Sequence, residues 1–319
     1  MSADTHKIKV GISSCLLGEK VRYNGGHKQS TLCTELLARW FDYVPTCPEL
    51  GAGLGVPRAT IRLVGDPRAP RVVEVERPEI EVTDVMLDYA QRRIPELHSL
   101  CGYIFMRNSP SCGMFRVKVY QESGYPHPDP GQGVFARALS EAMPLLPVEE
   151  DGRLQDPVLR ENFVTRVFAM HNWQQVMAKG LTRASLIDFH SRYKYTLMAH
   201  DPVQQTALGR MLAEVGKHDP EVLGPRFFAA LMQVLQRKAT RRTNTNVLMH
   251  LQGYLKKQLQ PREKQSMTET IEHYRQGIVP LVVPVTVLRH HFHQHQDDYI
   301  SRQTFLQPYP DALGLRNAL

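Results

Sequence analysis

The hydrophobic rhythm of this chain changes once, near Glu149-Glu150-Asp151-Gly152, and that change constrains its fold more than any other feature. Before it, short strand-like runs alternate with short amphipathic ones. Ile8, Val10 and Ile12 recur at period two, as in a strand buried on one face. Gln29 to Trp40 reads as a short helix, Asp42 to Thr46 as a second strand and Arg71 to Glu76 as a third. Thr83 is placed to cap a helix running through Leu97, whose end Pro95 disturbs. Tyr103 to Met106 is continuously apolar, as a central strand buried on both faces would be. Gly133 to Met143 reads as a helix and Leu145 to Val148 as a last strand. The β-α alternation predicts an α/β Rossmann-like open sheet.

After the change the period is helical throughout. The spacing predicts helices over about 157–178, 183–199, 203–216, 219–238, 244–259, 262–276 and 284–296. Leu186, Phe189, Tyr193 and Leu197 show the apolar stripe that such a helix turns to its core. Two domains are expected, an α/β one over 1–150 and an all-α one over 151–319, each long enough for its own core.

Charge and cysteine divide along the same line. Residues 1–150 hold 17 Lys and Arg against 18 Asp and Glu, a net of −1, and residues 151–319 hold 22 against 14, a net of +8. The excess in the second half points to a polyanionic partner or to a basic solvated surface. Its densest run is Arg237-Lys238-Ala239-Thr240-Arg241-Arg242, followed by Lys256-Lys257. A second run, Arg289-His290-His291-Phe292-His293-Gln294-His295, lacks a Cys, Asp or Glu to complete a metal site and reads as a wet helix face. No apolar run approaches the roughly 20 residues of a membrane helix. The N-terminus lacks the apolar core of a signal peptide, so a cytoplasmic protein is expected.

All five cysteines fall in the first 112 residues. An odd count without a leader argues against a disulfide framework, leaving buried thiols, a nucleophile or metal ligands. Cys15, Cys47 and Cys112 each follow an expected strand, in loops rich in Gly, Pro or Ser. Binding sites assemble at that edge of an open α/β sheet. Cys33 and Cys101 sit in and beside expected helices, where inert thiols are common. Three loop thiolates suit an iron–sulfur cubane with one iron free of protein, but three buried cysteines would look the same. The absence of a CxxC pair gives little support to structural zinc.

Six segments occur in order: Ser13-Ser14-Cys15-Leu16-Leu17-Gly18, Val21-Arg22-Tyr23-Asn24-Gly25-Gly26-His27-Lys28, Cys47-Pro48-Glu49, Val56-Pro57-Arg58, Ser109-Pro110-Ser111-Cys112-Gly113 and Gly131-Gln132-Gly133-Val134. Together they resemble the thiouracil desulfidase (TudS-type) family over roughly residues 7–148, with Asn24 standing where many relatives carry Asp. The second half resembles an all-helical domain often fused to it, through Phe189-His190-Ser191-Arg192-Tyr193-Lys194, Leu197-Met198-Ala199-His200 and Asn244-Thr245-Asn246-Val247-Leu248 among others. Fused members look like desulfidases that act on 4-thiouridine, including in tRNA.

The resemblance implies a 4Fe–4S cluster on Cys15, Cys47 and Cys112 and a non-redox hydrolysis of a thiocarbonyl pyrimidine to its oxo form and sulfide. Glu49, two residues past Cys47, is the expected base. Ser109 or Ser111 would relay a proton or bond the leaving sulfur, and Arg58 would hold a substrate phosphate or carbonyl. In the helical half Arg237, Lys238, Arg241, Arg242, Lys256 and Lys257 are the expected tRNA contacts. Free thiouracil or thiopyrimidine nucleotides are the alternative substrate, and an iron–sulfur RNA-binding sensor without turnover is the alternative without catalysis. Whether the helical domain binds RNA or forms a homodimer stays open.

Overall fold

The structure, a computed structural model, describes residues 7–317. Met1 to His6, part of the stretch read for a leader, lie outside the described residues. The chain divides between Asp156 and Pro157 into two compact units.

The first unit is built on a four-stranded parallel sheet. Its strands are β1 (Ile8–Ser13), β2 (Phe41–Thr46), β5 (Tyr103–Phe105) and β7 (Val148–Glu150), in the order β2-β1-β5-β7. From β1 the chain goes to β2 on one side and later returns to β5 on the other. The order therefore reverses at the β1/β5 boundary, where an open α/β sheet forms a crevice beyond the strand ends. Ile8, Val10 and Ile12 are buried, but so are Gly11 and Ser13, so β1, between β2 and β5, is covered on both faces rather than on the one its alternation suggests; β5 is buried along its whole length. A Cβ on Gly11 would fall 2.2 Å from the Tyr103 ring, so glycine in mid-strand lets that ring lie across β1. Tyr103 packs on Phe105 at 4.3 Å between ring centroids and joins Phe135, Leu139 and Leu97 in the core.

A second sheet was not expected. β3 (Ile61–Val64) pairs antiparallel with β4 (Arg71–Glu74) and parallel with β6 (Val119–Tyr120). The third expected strand, Arg71 to Glu76, thus belongs to this smaller sheet. Three helices complete the unit: α1 (Pro48–Gly51), α2 (Thr83–Arg93) and α3 (Val134–Ala142). Thr83 does not cap α2; its hydroxyl instead accepts the Val72 amide at 2.8 Å and ties the helix to β4. Gln29 to Trp40 is not a regular helix but a π turn over Leu32–Leu36 followed by a 3-10 turn over Leu37–Arg39. The expected boundary at Glu149 and Glu150 is buried and belongs to β7, with Glu149 paired to Arg153 at 2.6 Å.

The second unit is helical, as its periodicity predicts. It comprises α4 (Pro157–Ala178), α5 (Arg183–His200), α6 (Pro202–Ala213), α7 (Pro220–Gln236), α8 (Arg241–Tyr254), α9 (Pro261–Gln276), α10 (Val282–Gln294) and α11 (Asp298–Ser301). Leu186, Phe189, Tyr193 and Leu197 are all buried, and Trp173 stacks flat on Phe228 with centroids 4.6 Å apart. The helix expected over 244–259 starts earlier, at Arg241. A reciprocal cap between Thr240 and Thr243 nucleates it there. Among the described residues no helix is long and apolar enough to cross a membrane.

Candidate functional site

Parallel neighbours end on the same edge of a sheet, so β2, β1 and β5 deliver their following loops to one place. Cys15 lies in the 3-10 turn Ser14–Leu17 directly after β1. Cys47 sits between β2 and α1, and Cys112 in the loop beyond β5. All three line one cavity of about 400 Å³, together with Glu49, Arg58 and Ser109.

The Cys112 loop is fixed from below by α3. Val134, Phe135 and Ala136, whose amides open that helix, donate to the carbonyls of Pro110 and Ser111 at 3.0–3.1 Å. The first amides of a helix have no partner within it, and here the loop supplies one. Gly133 permits the approach: a Cβ there would lie 2.6 Å from the Ser111 carbonyl and 2.9 Å from the Cys112 nitrogen. On the far side Glu150 accepts the amides of Met114 and Phe115 at 2.7 and 2.9 Å.

The three thiols share an environment hostile to bare thiolates. Burial pushes Cys15 up to about 12, and Cys47 and Glu49 add to that while Arg22 opposes it. Burial raises Cys47, and it raises Cys112 well above the usual thiol range, with Glu49, Cys15 and Cys47 contributing. Ser13 works against this by hydrogen-bonding the Cys112 thiol. Ser13 also accepts the Met106 amide at 3.0 Å and so locks the ends of β1 and β5 together. Three soft donors crowded this way become thiolates when a cationic centre neutralises them. Among the described residues no three His, Cys, Asp or Glu side chains are placed to share a single ion. Three soft donors lining one cavity have the chemistry to hold an iron–sulfur cluster. Cys33 and Cys101 are fully buried away from the cavity, and burial raises them to about 11 and about 12. None of the five cysteines is in a disulfide.

Glu49 is held on both oxygens. Ser111 donates its hydroxyl to Oε1 at 2.6 Å, and Arg58 grips Oε2 through Nε at 3.0 Å and through Nη2. Arg58 itself is anchored by Nη1 to the carbonyls of Val21 at 3.0 Å and Gly55 at 2.9 Å. Its side chain is only 5% exposed and that of Glu49 15%, so this is an enclosed pair rather than a surface bridge. Four of the five guanidinium N–H groups are thus accounted for, which leaves little of Arg58 for a substrate. The serines separate by function. The Ser109 hydroxyl oxygen accepts the amides of Ser111 at 3.2 Å and Cys112 at 3.1 Å, shaping the turn, whereas Ser111 contacts Glu49.

Sequence reasoning assigned no role to Ser13, Arg22, Tyr23 or Lys28, yet all line the cavity. Each lies in one of the six quoted segments, which was the available signal. Asn24 is an exposed turn residue and His27 an exposed loop residue. The Asn24 side chain accepts the Gly26 amide at 3.1 Å, and the positive φ of this turn, 73°, falls on Gly25.

The six basic residues of the helical unit differ in their settings, and Lys238 is exposed. Arg237 pairs with Asp201, and Arg241 leans over Tyr274 with its Cζ 4.9 Å from the ring centroid. Arg242 is exposed at the start of α8, while Lys256 and Lys257 are exposed beyond its end. At about 1.5 Å per residue those two groups stand roughly 20 Å apart along the helix.

Comparison with known proteins agrees with this division. Residues 10–151 match the family described as 2-thiouracil desulfurase, and residues 194–310 match the family described as protein of unknown function DUF1722. Over 161 residues the chain is 31% identical to the uncharacterized protein YbgA of Escherichia coli (strain K12), covering 50% of this chain and 94% of that protein. Over 108 residues it is 31% identical to the uncharacterized protein YbbK of Bacillus subtilis (strain 168), covering 32% of this chain and 71% of that protein. A solved structure, the [4Fe-4S]-dependent thiouracil desulfidase TudS, aligns over 47% of this chain and 95% of its own at 25% identity, with a TM-score of 0.38. The chain belongs to the 2-thiouracil desulfurase family through its α/β unit and to the DUF1722 family through its helical one.

Proposed function

We propose that the first unit is a desulfidase that removes sulfur from a thiolated pyrimidine, using a 4Fe–4S cluster held by Cys15, Cys47 and Cys112, and that its substrate is 4-thiouridine in tRNA. The observation that carries the reading is the meeting of three cysteines, each from a different strand end, in one cavity with a fixed carboxylate. Membership of the 2-thiouracil desulfurase family supports it.

The reaction balances as a hydrolysis: thiocarbonyl plus water gives carbonyl plus hydrogen sulfide, with no electron gained or lost. Bound there, the cluster would supply a soft Lewis acid that prefers the thiocarbonyl sulfur to an oxygen ligand. Glu49 takes the proton from the attacking water. Arg58 acts through Glu49, setting where Oε2 points, and the Ser111 hydroxyl sets Oε1. The Ser109 hydroxyl hydrogen, not used by the amides it accepts, is free to meet the leaving sulfur. The net +8 of residues 151–319 and the exposed Arg242, Lys256 and Lys257 favour a polyanionic substrate.

The test is anaerobic purification, reconstitution with iron and sulfide, and incubation with bulk tRNA. Loss of 4-thiouridine absorbance with equivalent sulfide release is expected. An intact cluster without that loss would move the substrate to free thiopyrimidine nucleotides. Cys15→Ala, Cys47→Ala and Cys112→Ala should each abolish the cluster's visible absorbance, and Cys33→Ala and Cys101→Ala should leave it. Cluster loss in either of the last two would overturn the ligand set. Glu49→Gln should keep the absorbance and lose sulfide release.

A further inference from the structure

A second cavity, of about 160 Å³, lies wholly within the helical unit. The first turns of α4, the end of α5, the start of α8 and the C-terminal segment converge on it, bringing Glu161, His200, Lys238, Arg241, Asn244 and Arg316 to its wall. We propose that this cavity is a binding site for a phosphoryl group.

Charge carries the argument first. Among the described residues the one carboxylate in the wall is Glu161, and it is already neutralised: it accepts the Arg316 Nε at 2.9 Å and the Tyr309 hydroxyl at 2.8 Å. Among the described residues, Arg241 and Lys238 then remain without an acid in the wall to balance them. Arg241 makes only a carbonyl contact, to Tyr274 at 2.5 Å, besides lying over that ring. A half-buried guanidinium without a counter-charge favours an anion that completes it.

The local helix geometry adds to the imbalance. α8 runs for fourteen residues, and its first turn carries Arg241 and Arg242 with no acid. That is the reverse of what the positive end of a helix dipole favours in isolation. An anion at this end would be met by the dipole and by the arginine together.

The polar groups narrow the ligand class. His200 meets the Arg237 carbonyl through Nδ1, so that nitrogen carries the proton and Nε2 is left as an acceptor. Burial keeps this imidazole from charging. Asn244, buried, donates Nδ2 to the Tyr274 hydroxyl and retains its carbonyl oxygen. A phosphate monoester offers oxygens to the cations and, with a second pKa near 6, a proton to an acceptor. A carboxylate or sulfate offers no such proton. Guanidinium groups in a confined site also suit phosphate oxygens by geometry.

The phosphomonoester could be the 5′-terminal phosphate of an RNA or that of a free nucleotide, and one experiment separates these. The full chain, in a low-salt chloride buffer, is titrated calorimetrically with inorganic phosphate, uridine 5′-monophosphate and tRNA. Arg241→Gln and Lys238→Gln are compared with Arg242→Gln, which removes the same charge one residue outside the cavity wall. Phosphate affinity should fall at least about tenfold in Arg241→Gln and about threefold in Lys238→Gln, and stay within about twofold in Arg242→Gln. Equal losses in all three would show mere surface electrostatics, and no binding up to about 10 mM phosphate would show no site; either overturns the proposal. Lys238 is exposed, so its variant decides the matter if Arg241→Gln lowers the melting temperature. An RNA source predicts that Arg241→Gln weakens tRNA binding. A nucleotide source predicts tighter uridine 5′-monophosphate than inorganic phosphate, with tRNA binding indifferent to the substitution. Binding is read without the cluster's activity, so the result stands apart from the desulfidase reading.

Discussion

Arg58 shows how a residue's type can be legible while its work is not. Arginine after a glycine-rich loop reads as an anion holder, and the structure does give it an anion, but the anion is Glu49. Lysine can neither bridge a carboxylate edge nor reach both carbonyls that anchor the guanidinium. Under the proposed function, Arg58→Lys should therefore lower kcat on the order of 10–100-fold with KM within about twofold, because a misplaced base loses rate rather than binding. Steady-state kinetics on the reconstituted protein would read it, and a raised KM with kcat intact would return Arg58 to substrate binding. Gly133→Ala drives a methyl into the Ser111 carbonyl. It should cost about 1–3 kcal/mol and lower the iron retained per chain. Thermal melting together with iron content would check both. The cysteines could be placed from sequence because each follows a strand within a few residues. Ser13 could not, since its partner Met106 is 93 residues away, and the Ser111–Glu49 bond spans 62.

Elements were readable in proportion to their length and regularity. α4 and α5 bury wide apolar faces over 22 and 18 residues and have nearly the bounds their periodicity predicts. Of the second sheet only β4 is legible in the sequence; β3 and β6, four and two residues long, are too short for alternation to register. The start of α8 was missed because its cap is threonine on threonine rather than an acid at the third position. Caps also carry measurable energy. Asp201 accepts the amides of Val203 and Gln204, both at 3.0 Å, at the start of α6, and it also meets Arg237. Asp201→Ala should cost about 1–2 kcal/mol, while Asp201→Asn, which still caps, should cost a few tenths. Urea denaturation of the two variants would distinguish cap from ion pair.

Across the molecule, the helical unit hides two histidines that resist protonation. Burial lowers His190, with Lys194 adding to it, and burial lowers His200. In the unfolded chain each returns to the ordinary value of 6.5. Below that pH the unfolded state binds more protons than the folded one, so stability should fall as pH drops from above 6.5 toward the lowered folded values. Urea midpoints at pH 7.5, 6.5 and 5.5 should decline in that order. His190→Leu should flatten the slope, since Nε2 of His190 is buried without a partner.

Under the proposed function, the three cysteine loops also set the timing of maturation. Cys15, Cys47 and Cys112 face one another only once β5 has docked beside β1, and the segment that props the last loop runs to Glu150. On a growing chain the cavity is therefore among the last features of its unit to appear. Iron offered before that point would meet isolated thiols. Under the proposed function, the lifetime of the bound metal would then be governed by how seldom the sheet opens.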